Sequence, residues 1–423
     1  MANLLIIESW VRAVGLVLPE KLASHGHRYT FVSRNPGHYT SWARAAGLVG
    51  AASHPLLAGA DAVIEANTND VTSLLRAVRP LHERTPFDGV LTTCDYYLET
   101  AARVAEDLAL PGSSAAAVEV ARHKHLMREA CRRAGLPGPR FLAARTVEDA
   151  LEFADAVGYP VVVKAVDLCS SESVNAVKDP VELDRCYRAI TGDLENIRGQ
   201  LRPPVVLVEE LLRGDEFSVE TYSFRGRTTV LGVTDKSLVG YPQFIESGLM
   251  FPADISVQTE NQLATFARSA LNAVGYTHGL SHTEIKLTAD GPRIVEINAR
   301  MGGSYLFDAI ELVTGLDMFS LLVDLALGRP SNVEAQETGI KSAALKFLLP
   351  PRGGLLGAVH GVDAVREDLA IYRLVIDDVV GKELREPYDN NDFIGHVLAI
   401  DREQRGARRK AEAAAESLEF VFR

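Results

Sequence analysis

Residues 284–300, EIKLTADGPRIVEINAR, contain two runs of strand-forming residues on either side of a turn at 289–292, ADGP. Asp-Gly between such runs is typical of a β-hairpin. Because side chains alternate along a strand, Glu296 and Asn298 share one face, and the turn brings Glu284 roughly opposite Glu296. Facing carboxylates destabilise a hairpin unless a cation lies between them, and carboxylate and amide oxygens suit Mg²⁺. The hairpin therefore predicts a metal site formed by Glu284, Glu296 and Asn298.

An arginine and two glycines follow the second strand of this hairpin. Arg300 lies two residues beyond Asn298 and so continues the same face toward whatever the metal holds. Gly302 and Gly303 would let a backbone come close to a ligand, although two glycines also simply end a strand. One carboxyl with a raised pKa, or a solvent-exposed pair, is the alternative to a metal site.

Two lysines fall where apolar residues should face a core. Lys124 lies on the apolar stripe of a helical pattern over residues 115–134, and Lys164 ends a strand-like run at 161–163. Burying an unpaired ammonium is costly, so each lysine needs an anion such as a phosphate or a carboxylate. The alternatives are that Lys124 extends its ammonium to the surface and that Lys164 pairs with a nearby acid at the edge of the core.

A polar loop and an acidic corner lie between the lysines and the hairpin. Residues 167–173, DLCSSES, are small and polar, which suits a loop that binds phosphates through N–H groups and hydroxyls, although the loop contains no glycine. Residues 205–210 form an apolar strand that ends in two acids. With a period of two, the next strand places three polar residues on one face, Glu216, Ser218 and Glu220. An acidic solvent-facing surface is the alternative interpretation of this corner.

Composition limits the class of protein. The 423 residues favour two to three domains, and 47% hydrophobic with 24% charged residues is the balance of a globular chain rather than a disordered one. A net charge of -12 disfavours broad capture of nucleic acid or of an anionic membrane, so any phosphate must be held by a local cluster. Four scattered cysteines and the lack of a long apolar run indicate a cytoplasmic protein.

The order of strand-like and helical patterns divides the chain. Runs at 4–7, 29–32, 62–64 and 89–92 are each followed by a helix candidate, which predicts a doubly wound α/β domain. A second α/β region covers 141–190, and residues 205–298 are mostly strand-like with turns at 225–227 and 290–291. Short strands and a terminal helix follow a helical stretch that closes near residue 328.

In chain order, these features resemble the ATP-grasp superfamily, specifically its carboxylate–amine ligase branch, which includes the L-amino acid (dipeptide) ligases. The resemblance covers nearly the whole chain, and the hairpin at 284–300 is its specific part. It implies an ATP-grasp fold of α/β and α+β domains. The expected divisions are an N-terminal doubly wound (pre-ATP-grasp) domain at 1–112, a central small lobe with a linker helix at 113–200, and a C-terminal lobe with a terminal α/β subdomain at 201–423.

The resemblance also implies roles for particular residues. ATP would be bound by Lys124, Lys164, Ser170, Ser171, Glu209, Glu210, Leu211, Leu212 and Glu216. Mg²⁺ or Mn²⁺ would be held by Glu284, Glu296 and Asn298, and Arg300 would stabilise the transferring phosphoryl group. The substrates would meet Glu246, Leu249, Arg300, Gly302, Gly303 and Ser304. Leu249 stands where many dipeptide ligases have a histidine, and Ser304 where some have a bulky aromatic residue.

The expected reaction joins the carboxylate of an amino acid or similar small acid to an amine through an acyl phosphate, with release of ADP and phosphate. The alternatives are another ATP-grasp reaction, such as a carboxylase acting through carboxyphosphate or a purine-pathway ligase, and a non-catalytic nucleotide-binding relative. The expected partners are small-molecule carboxylates and amines, amino acids above all, without nucleic acid or membrane. A homodimer is in keeping with the superfamily.

Overall fold

The computed structural model describes residues 1–46 and 54–423, and its N-terminal part contains a parallel sheet in the order β3-β2-β1-β4. The side chains of residues 4–7 are fully buried, which explains why this run forms a strand paired on both edges. The doubly wound pattern predicted for this region is confirmed. Its elements are β1 (Asn3–Ile7), α1 (Val14–Ser24), β2 (Arg28–Ser33), α2 (Pro36–Ala45), α3 (Pro55–Ala58), β3 (Ala62–Glu65), α4 (Val71–Arg84), β4 (Gly89–Leu91) and α5 (Leu98–Asp107).

The single helix predicted over residues 115–134 is wrong. Two helices, α6 (Ala115–Arg122) and α7 (Lys124–Arg133), meet at His123, whose backbone is extended with φ -88° and ψ 106°. The break allows the N–H of Lys124 to donate a hydrogen bond of 2.9 Å to the carbonyl of Val166. A tertiary contact thus fixes the first residue of α7, which the local pattern could not indicate. The predicted stop is confirmed at Gly135, which has a φ of +72°.

The central lobe is an antiparallel sheet in the order β5-β8-β6-β7, with two helices packed on it. The sequence analysis placed the boundary of this lobe at residue 200. The strand β8 lies beyond that residue and still belongs to this sheet, because it pairs with both β5 and β6. Its elements are β5 (Phe141–Ala144), α8 (Val147–Val157), β6 (Val161–Ala165), β7 (Val174–Val177), α9 (Pro180–Gly192) and β8 (Val206–Glu210).

The large sheet of the C-terminal lobe has the order β13-β12-β9-β10-β11-β14-β18-β16. The hairpins predicted around residues 225–227 and 290–291 are confirmed as β9–β10 and β12–β13. A helix, α10, separates β11 from β12 within the stretch expected to be mostly β. The elements up to the middle of this lobe are β9 (Asp215–Phe224), β10 (Arg227–Val239), β11 (Ile245–Phe251), α10 (Val257–Ala273), β12 (Gly279–Thr288), β13 (Gly291–Asn298), α11 (Leu306–Thr314), α12 (Met318–Ala326) and β14 (Ser342–Leu348).

The remaining elements complete the large sheet and add a small one in the order β17-β15-β19. They are β15 (Gly354–His360), α13 (Val362–Glu367), β16 (Ile371–Ile376), β17 (Glu383–Leu384), β18 (Gly395–Asp401), α14 (Ala407–Glu416) and β19 (Glu419–Phe422). The terminal helix expected from the sequence is confirmed as α14. In the described ranges, each helix is too short or too polar to cross a membrane.

Candidate active site

A cleft of 1160 Å³ opens between the central sheet and the large sheet, and segments from the N-terminal domain and the C-terminal region also line it. Gly302, predicted as a substrate contact, is absent from the lining. A Cβ atom added there would lie 2.5 Å from Leu306 Cδ2, so the glycine permits close packing behind the cleft. The other predicted site residues all line the cleft: Lys124, Lys164, Ser170, Ser171, Glu209, Glu210, Leu211, Leu212, Glu216, Glu246, Leu249, Glu284, Glu296, Asn298, Arg300, Gly303 and Ser304.

Lys124 begins α7 and turns its ammonium inward. Its Nζ lies 2.9 Å from Glu296 Oε1 and donates a hydrogen bond of 2.6 Å to the carbonyl of Leu168. The side chain is 5% exposed, which rules out the alternative that it extends to the surface. Burial opposes the charge, but the Glu296 carboxylate raises the pKa of Lys124 above its usual value. The ammonium is therefore charged and links α7 to the hairpin of β12 and β13.

Lys164, the residue before the end of the buried strand β6, pairs with an acid, which is one of the alternatives that the sequence left open. Its Nζ lies 2.6 Å from Glu209 Oε2, and Arg128 Nε lies 2.5 Å from Glu209 Oε1. Arg128 also donates to the carbonyls of Ile294 and Val295, so it joins the central lobe to β13. Burial lowers the pKa of Lys164, whereas the two cations hold the pKa of Glu209 at about 2 against the cost of its burial.

The sequence analysis did not identify Arg128 as a site residue. Arg128 lies four residues after Lys124 and therefore on the same face of the helix, and this spacing could have indicated that it also faces the cleft.

Three predicted site acids surround a lysine that the sequence analysis missed. Lys236, buried in β10, has its Nζ 2.8 Å from both Glu246 Oε1 and Glu284 Oε1, and 3.4 Å from Glu216 Oε1. Although burial disfavours its charge, these carboxylates raise the pKa of Lys236 well above its usual value. Lys286 binds the other oxygen of Glu216 at 2.9 Å. The shared face predicted for Glu216 and Glu220 leads to this cluster rather than to solvent.

The hairpin has the register that the sequence predicted. Glu284 is opposite Glu296, and His282 is opposite Asn298, between β12 and β13. His282 Nδ1 lies 2.9 Å from Glu220 Oε1, and its Nε2 lies 3.3 Å from Glu284 Oε1. Burial works against protonation, but the two carboxylates raise the pKa of His282 to about 9.

The candidate metal ligands fit a hard cation. Glu284, Glu296 and Asn298 all line the cleft and offer carboxylate and amide oxygens, the donor set that Mg²⁺ prefers. Within residues 1–46 and 54–423, no group of three or more His, Cys, Asp and Glu side chains is placed to bind a metal ion. The set proposed here contains only two such side chains, because its third member, Asn298, would bind through an amide oxygen. The assignment of these three residues as ligands therefore stays a prediction, supported by their placement and chemistry.

Arg300 is held by the N-terminal domain. Its Nε donates a hydrogen bond of 2.7 Å to Asp95 Oδ1, and Trp10 Nε1 donates one of 2.8 Å to Asp95 Oδ2. Partial burial disfavours the charge of Arg300, but the Asp95 carboxylate raises its pKa above the usual value. Asp95 and Trp10 were missed by the sequence analysis. The signal for Asp95 was its place just after β4, because ligands bind beyond the carboxyl ends of parallel strands.

The glycine-free loop at 167–173 adopts a conformation usually reserved for glycine. Ser170, Ser171 and Ser173 have φ values of 59°, 58° and 57°, in the left-handed region that disfavours side chains. The loop is held from the C-terminal region, where Asn390 donates from its backbone N–H to the carbonyl of Ser170 at 3.3 Å. Asn390 Nδ2 lies 3.5 Å from Ser171 Oγ, and the N–H of Glu246 donates to Asn390 Oδ1 at 2.9 Å.

Three protein-family models match the chain. An ATP-grasp N-terminal domain matches residues 26–112, an ATP-grasp domain matches residues 157–308, and L-amino acid ligase C-terminal domain 2 matches residues 346–423. The crystal structure of L-amino acid ligase from Bacillus licheniformis superposes with a TM-score of 0.82 at 23% identity, covering 100% of this chain and 99% of that chain. The expected fold is therefore confirmed.

Curated proteins similar in sequence to this chain include a carnosine synthase and an alanine–anticapsin ligase. Carnosine synthase 1 from Gallus gallus is 29% identical over 368 residues, which are 81% of this chain and 38% of the relative. Alanine–anticapsin ligase from Bacillus subtilis strain 168 is 26% identical over 265 residues, which are 58% of this chain and 55% of the relative. The match thus spans less than two thirds of the length of either relative.

Proposed function

The chain belongs to the ATP-grasp superfamily, and from this premise we propose that it is an ATP-dependent carboxylate–amine ligase. It joins an amino acid or similar small acid to an amine, with amino acids as the expected class for both substrates, and releases ADP and phosphate. One observation carries the proposal: a single cleft holds the buried ammonium groups of Lys124 and Lys164 and the half-buried guanidinium of Arg300, together with the oxygen donors of the hairpin. The C-terminal match to an L-amino acid ligase domain supports amide formation.

The charges of the cleft suit the first step. An oxygen of the substrate carboxylate forms a bond to the γ-phosphorus of ATP, and the bridging bond to the β-phosphate breaks, so that ADP leaves with that electron pair. Since both reactants are anions, the buried lysines and Arg300 stabilise the negative charge along the line of transfer. The product is an acyl phosphate.

The second step forms the amide. The amine nitrogen attacks the acyl carbon, phosphate leaves with the electrons of the carbon–oxygen bond, and the nitrogen loses a proton. Water would compete for the same carbon, so the cleft must stay closed until the amine has reacted. The loop at 167–173, held by Asn390, supplies a cover on the phosphate side.

Nucleotide contacts follow the roles implied by the resemblance. The backbone of Leu211 and Leu212, after β8, would meet the adenine, and Ser170 and Ser171 would cover the phosphates. Glu209 has both carboxylate oxygens engaged by Lys164 and Arg128, so it would orient Lys164, whereas Glu210 pairs with the exposed Arg140. Glu216 would give up its contact with Lys236 or Lys286 and accept hydrogen bonds from the ribose hydroxyls instead.

Glu284, Glu296 and Asn298 would hold Mg²⁺ or Mn²⁺, which supplies positive charge beside the phosphates when bound.

The test is ADP release from the purified protein with Mg-ATP across single amino acids and their pairs, with mass spectrometry of the products. Release that needs two amino acids and yields their condensed mass would establish the ligase. Release that depends instead on bicarbonate or on a phosphoribosyl amine would assign one of the other ATP-grasp reactions. ATP binding without release under any of these conditions would favour a non-catalytic relative.

Glu296→Gln provides the matching variant. Because Glu296 contacts Lys124 and faces Glu284, we expect the change to lower phosphoryl transfer by at least about 100-fold. The amide oxygen of glutamine can still accept from Lys124, so the protein should remain folded, with a melting temperature below the parent's. Glu337→Gln, which removes one partner of an exposed ion pair with Lys341, is the control and should leave turnover unchanged. Unchanged turnover in Glu296→Gln would contradict its assigned role.

A further inference from the structure

The cleft has an apolar end as well as a charged one. Leu249, Met301, Leu306 and Phe347 line it and belong to one continuous buried cluster. Further lining residues pack against that cluster from the N-terminal segment and the C-terminal region: Val11, Ala13, Tyr305, Leu322 and Phe393. Met301 follows Arg300 directly in the chain, Tyr305 and Leu306 come within six residues of it, and all four residues line the cleft. A substrate that presents its carboxylate to Arg300 therefore has apolar side chains of the same segment nearby.

One polar residue stands in the floor of this end. His396 in β18 is directly opposite Phe347 of β14 on one side and Val375 of β16 on the other, and all three line the cleft. Residues directly opposite one another share a sheet face. The imidazole packs against the ring of Tyr305, with the ring centroids 4.5 Å apart. The other side of the floor is aromatic too, since Phe347 stacks on Phe393 at 4.5 Å.

His396 Nε2 is buried without a hydrogen-bond partner among the described residues, although the side chain lines a cleft. Native proteins pair nearly all such buried atoms, so an unpaired one calls for an explanation. Burial and the nearby Arg373 guanidinium lower the pKa of His396 to about 3, so the ring is neutral and has one donor and one acceptor nitrogen. A ligand hydroxyl can donate to the ring or accept from it, whichever tautomer is present.

The chemistry of this end selects its occupant. A charged group would lose its hydration among apolar side chains, which is costly. A neutral hydroxyl both donates and accepts, and an aromatic ring would cover the surfaces of Phe347, Tyr305 and Leu249. Ser304, which directly precedes Tyr305, lines the cleft with a small side chain where a bulky residue would take up room.

We propose that this apolar end is the side-chain pocket for one amino-acid substrate, and that His396 selects an aromatic side chain with a neutral hydroxyl, as in tyrosine. The inference rests on the proposed ligase function, and it names a substrate class and a specificity-determining residue for it. A site built to bond a hydroxyl discriminates strongly against the analogue that lacks one, because its own polar atom then stays unpaired.

The test compares binding of L-tyrosine, L-phenylalanine and L-leucine by calorimetry, with Mg²⁺ and a non-hydrolysable ATP analogue present. We expect tyrosine to bind at least about tenfold tighter than phenylalanine, and leucine to bind more weakly than either. In His396→Phe the preference for tyrosine should fall to about one, whereas His396→Gln, which keeps a donor and an acceptor, should retain part of it. Equal binding of tyrosine and phenylalanine by the parent would overturn the proposal, as would an unchanged preference in His396→Phe.

Two controls keep the outcomes separate. His360→Phe changes an exposed histidine outside the cleft and should leave the preference intact. His396→Phe removes an unpaired nitrogen from an apolar floor, so its melting temperature should match or exceed the parent's. Tyrosine binding through His396 without ADP release under any condition would reject the ligase but keep the pocket. Condensation of aliphatic amino acids with no response to tyrosine would keep the ligase and reject the pocket.

Discussion

Three cations of the cleft lie against carboxylates of the protein itself. Lys124 contacts Glu296, Lys164 contacts Glu209, and Arg300 contacts Asp95. These contacts offset the cost of burying each charge, and they also fix the positions of the cations. A phosphate that enters the cleft therefore meets positive groups that are already oriented. Because each cation keeps a protein partner, removing one side of a pair should have two separable effects, one on ligand binding and one on stability.

Lys164→Ala should mainly weaken ATP binding. A charge-assisted contact to phosphate contributes about 1.5–3 kcal/mol, so the Kd for ATP should rise about 10- to 100-fold. Lys178→Ala is the matched control, because Lys178 is an exposed lysine whose partner is Glu182. Calorimetric titration with ATP checks both variants. An ATP affinity equal to the parent's in Lys164→Ala would remove this lysine from the phosphate site.

Glu209→Ala should act on stability. The change leaves Lys164 and Arg128 buried without their shared carboxylate, which should lower the free energy of unfolding by about 3–5 kcal/mol. The pKa of Glu209 is about 2 instead of the usual 4.5, so its contribution is fully present above pH 4.5 and is lost as the pH falls toward 2. Denaturant unfolding of the parent and the variant at pH 7 and pH 4 measures this difference. A variant as stable as the parent at pH 7 would contradict the structural role.

Single residues could be predicted where their own position was unusual. Lys124 and Lys164 stood out because charges fell on apolar patterns, and the hairpin acids because they faced each other. Their partners were harder to find, since Asp95 lies 205 residues before Arg300 and Arg128 lies 81 residues before Glu209. Contacts across such separations depend on the folded arrangement of the sheets, which no local pattern contains.

At the scale of elements, local signals were sufficient for strands and hairpins and insufficient for the linker. The turn between β12 and β13 carries its own Asp-Gly signal, and the register follows from alternation. The break between α6 and α7 has no Gly or Pro at His123 and depends on the bond from Lys124 to Val166. The loop at 167–173 is similar, because its left-handed serines are held by the distant segment 388–392.

Asn390→Ala should loosen that loop. The variant loses the side-chain bonds to Ser171 and Glu246, so the cover over the phosphates should open more often and admit water. We expect a larger share of ADP to be released without a matching amide product, with the melting temperature nearly unchanged. Asn332→Ala, at an exposed site outside the cleft, is the control. If Asn390→Ala forms as much amide product per ADP released as the parent does, the loop closes without the side-chain hydrogen bonds of Asn390.

At the scale of the whole molecule, the cleft depends on parts from both ends of the chain. Asp95 and Trp10 reach it from the N-terminal domain, and His396 and Asn390 reach it from the C-terminal region. Arg12 and Asp377 join these two parts directly, with Nη1 and Oδ2 3.1 Å apart. The ATP-grasp lobes alone would therefore leave Arg300 without its carboxylate and the apolar end without its floor. This dependence leads to a test that separates positioning from binding.

Asp95→Asn should slow the chemical step more than it weakens nucleotide binding. Asp95 is a positioning residue, because its carboxylate accepts hydrogen bonds from Arg300 Nε and Trp10 Nε1 and so orients the guanidinium. The amide keeps the shape but loses the charge that orients the guanidinium, so kcat should fall about 10- to 100-fold while the KM for ATP changes little. Asp107→Asn, which removes one partner of the surface pair with Arg79, is the control in the same domain. A rise in the KM for ATP at constant kcat would mean that the N-terminal domain shapes the nucleotide site instead of orienting the arginine.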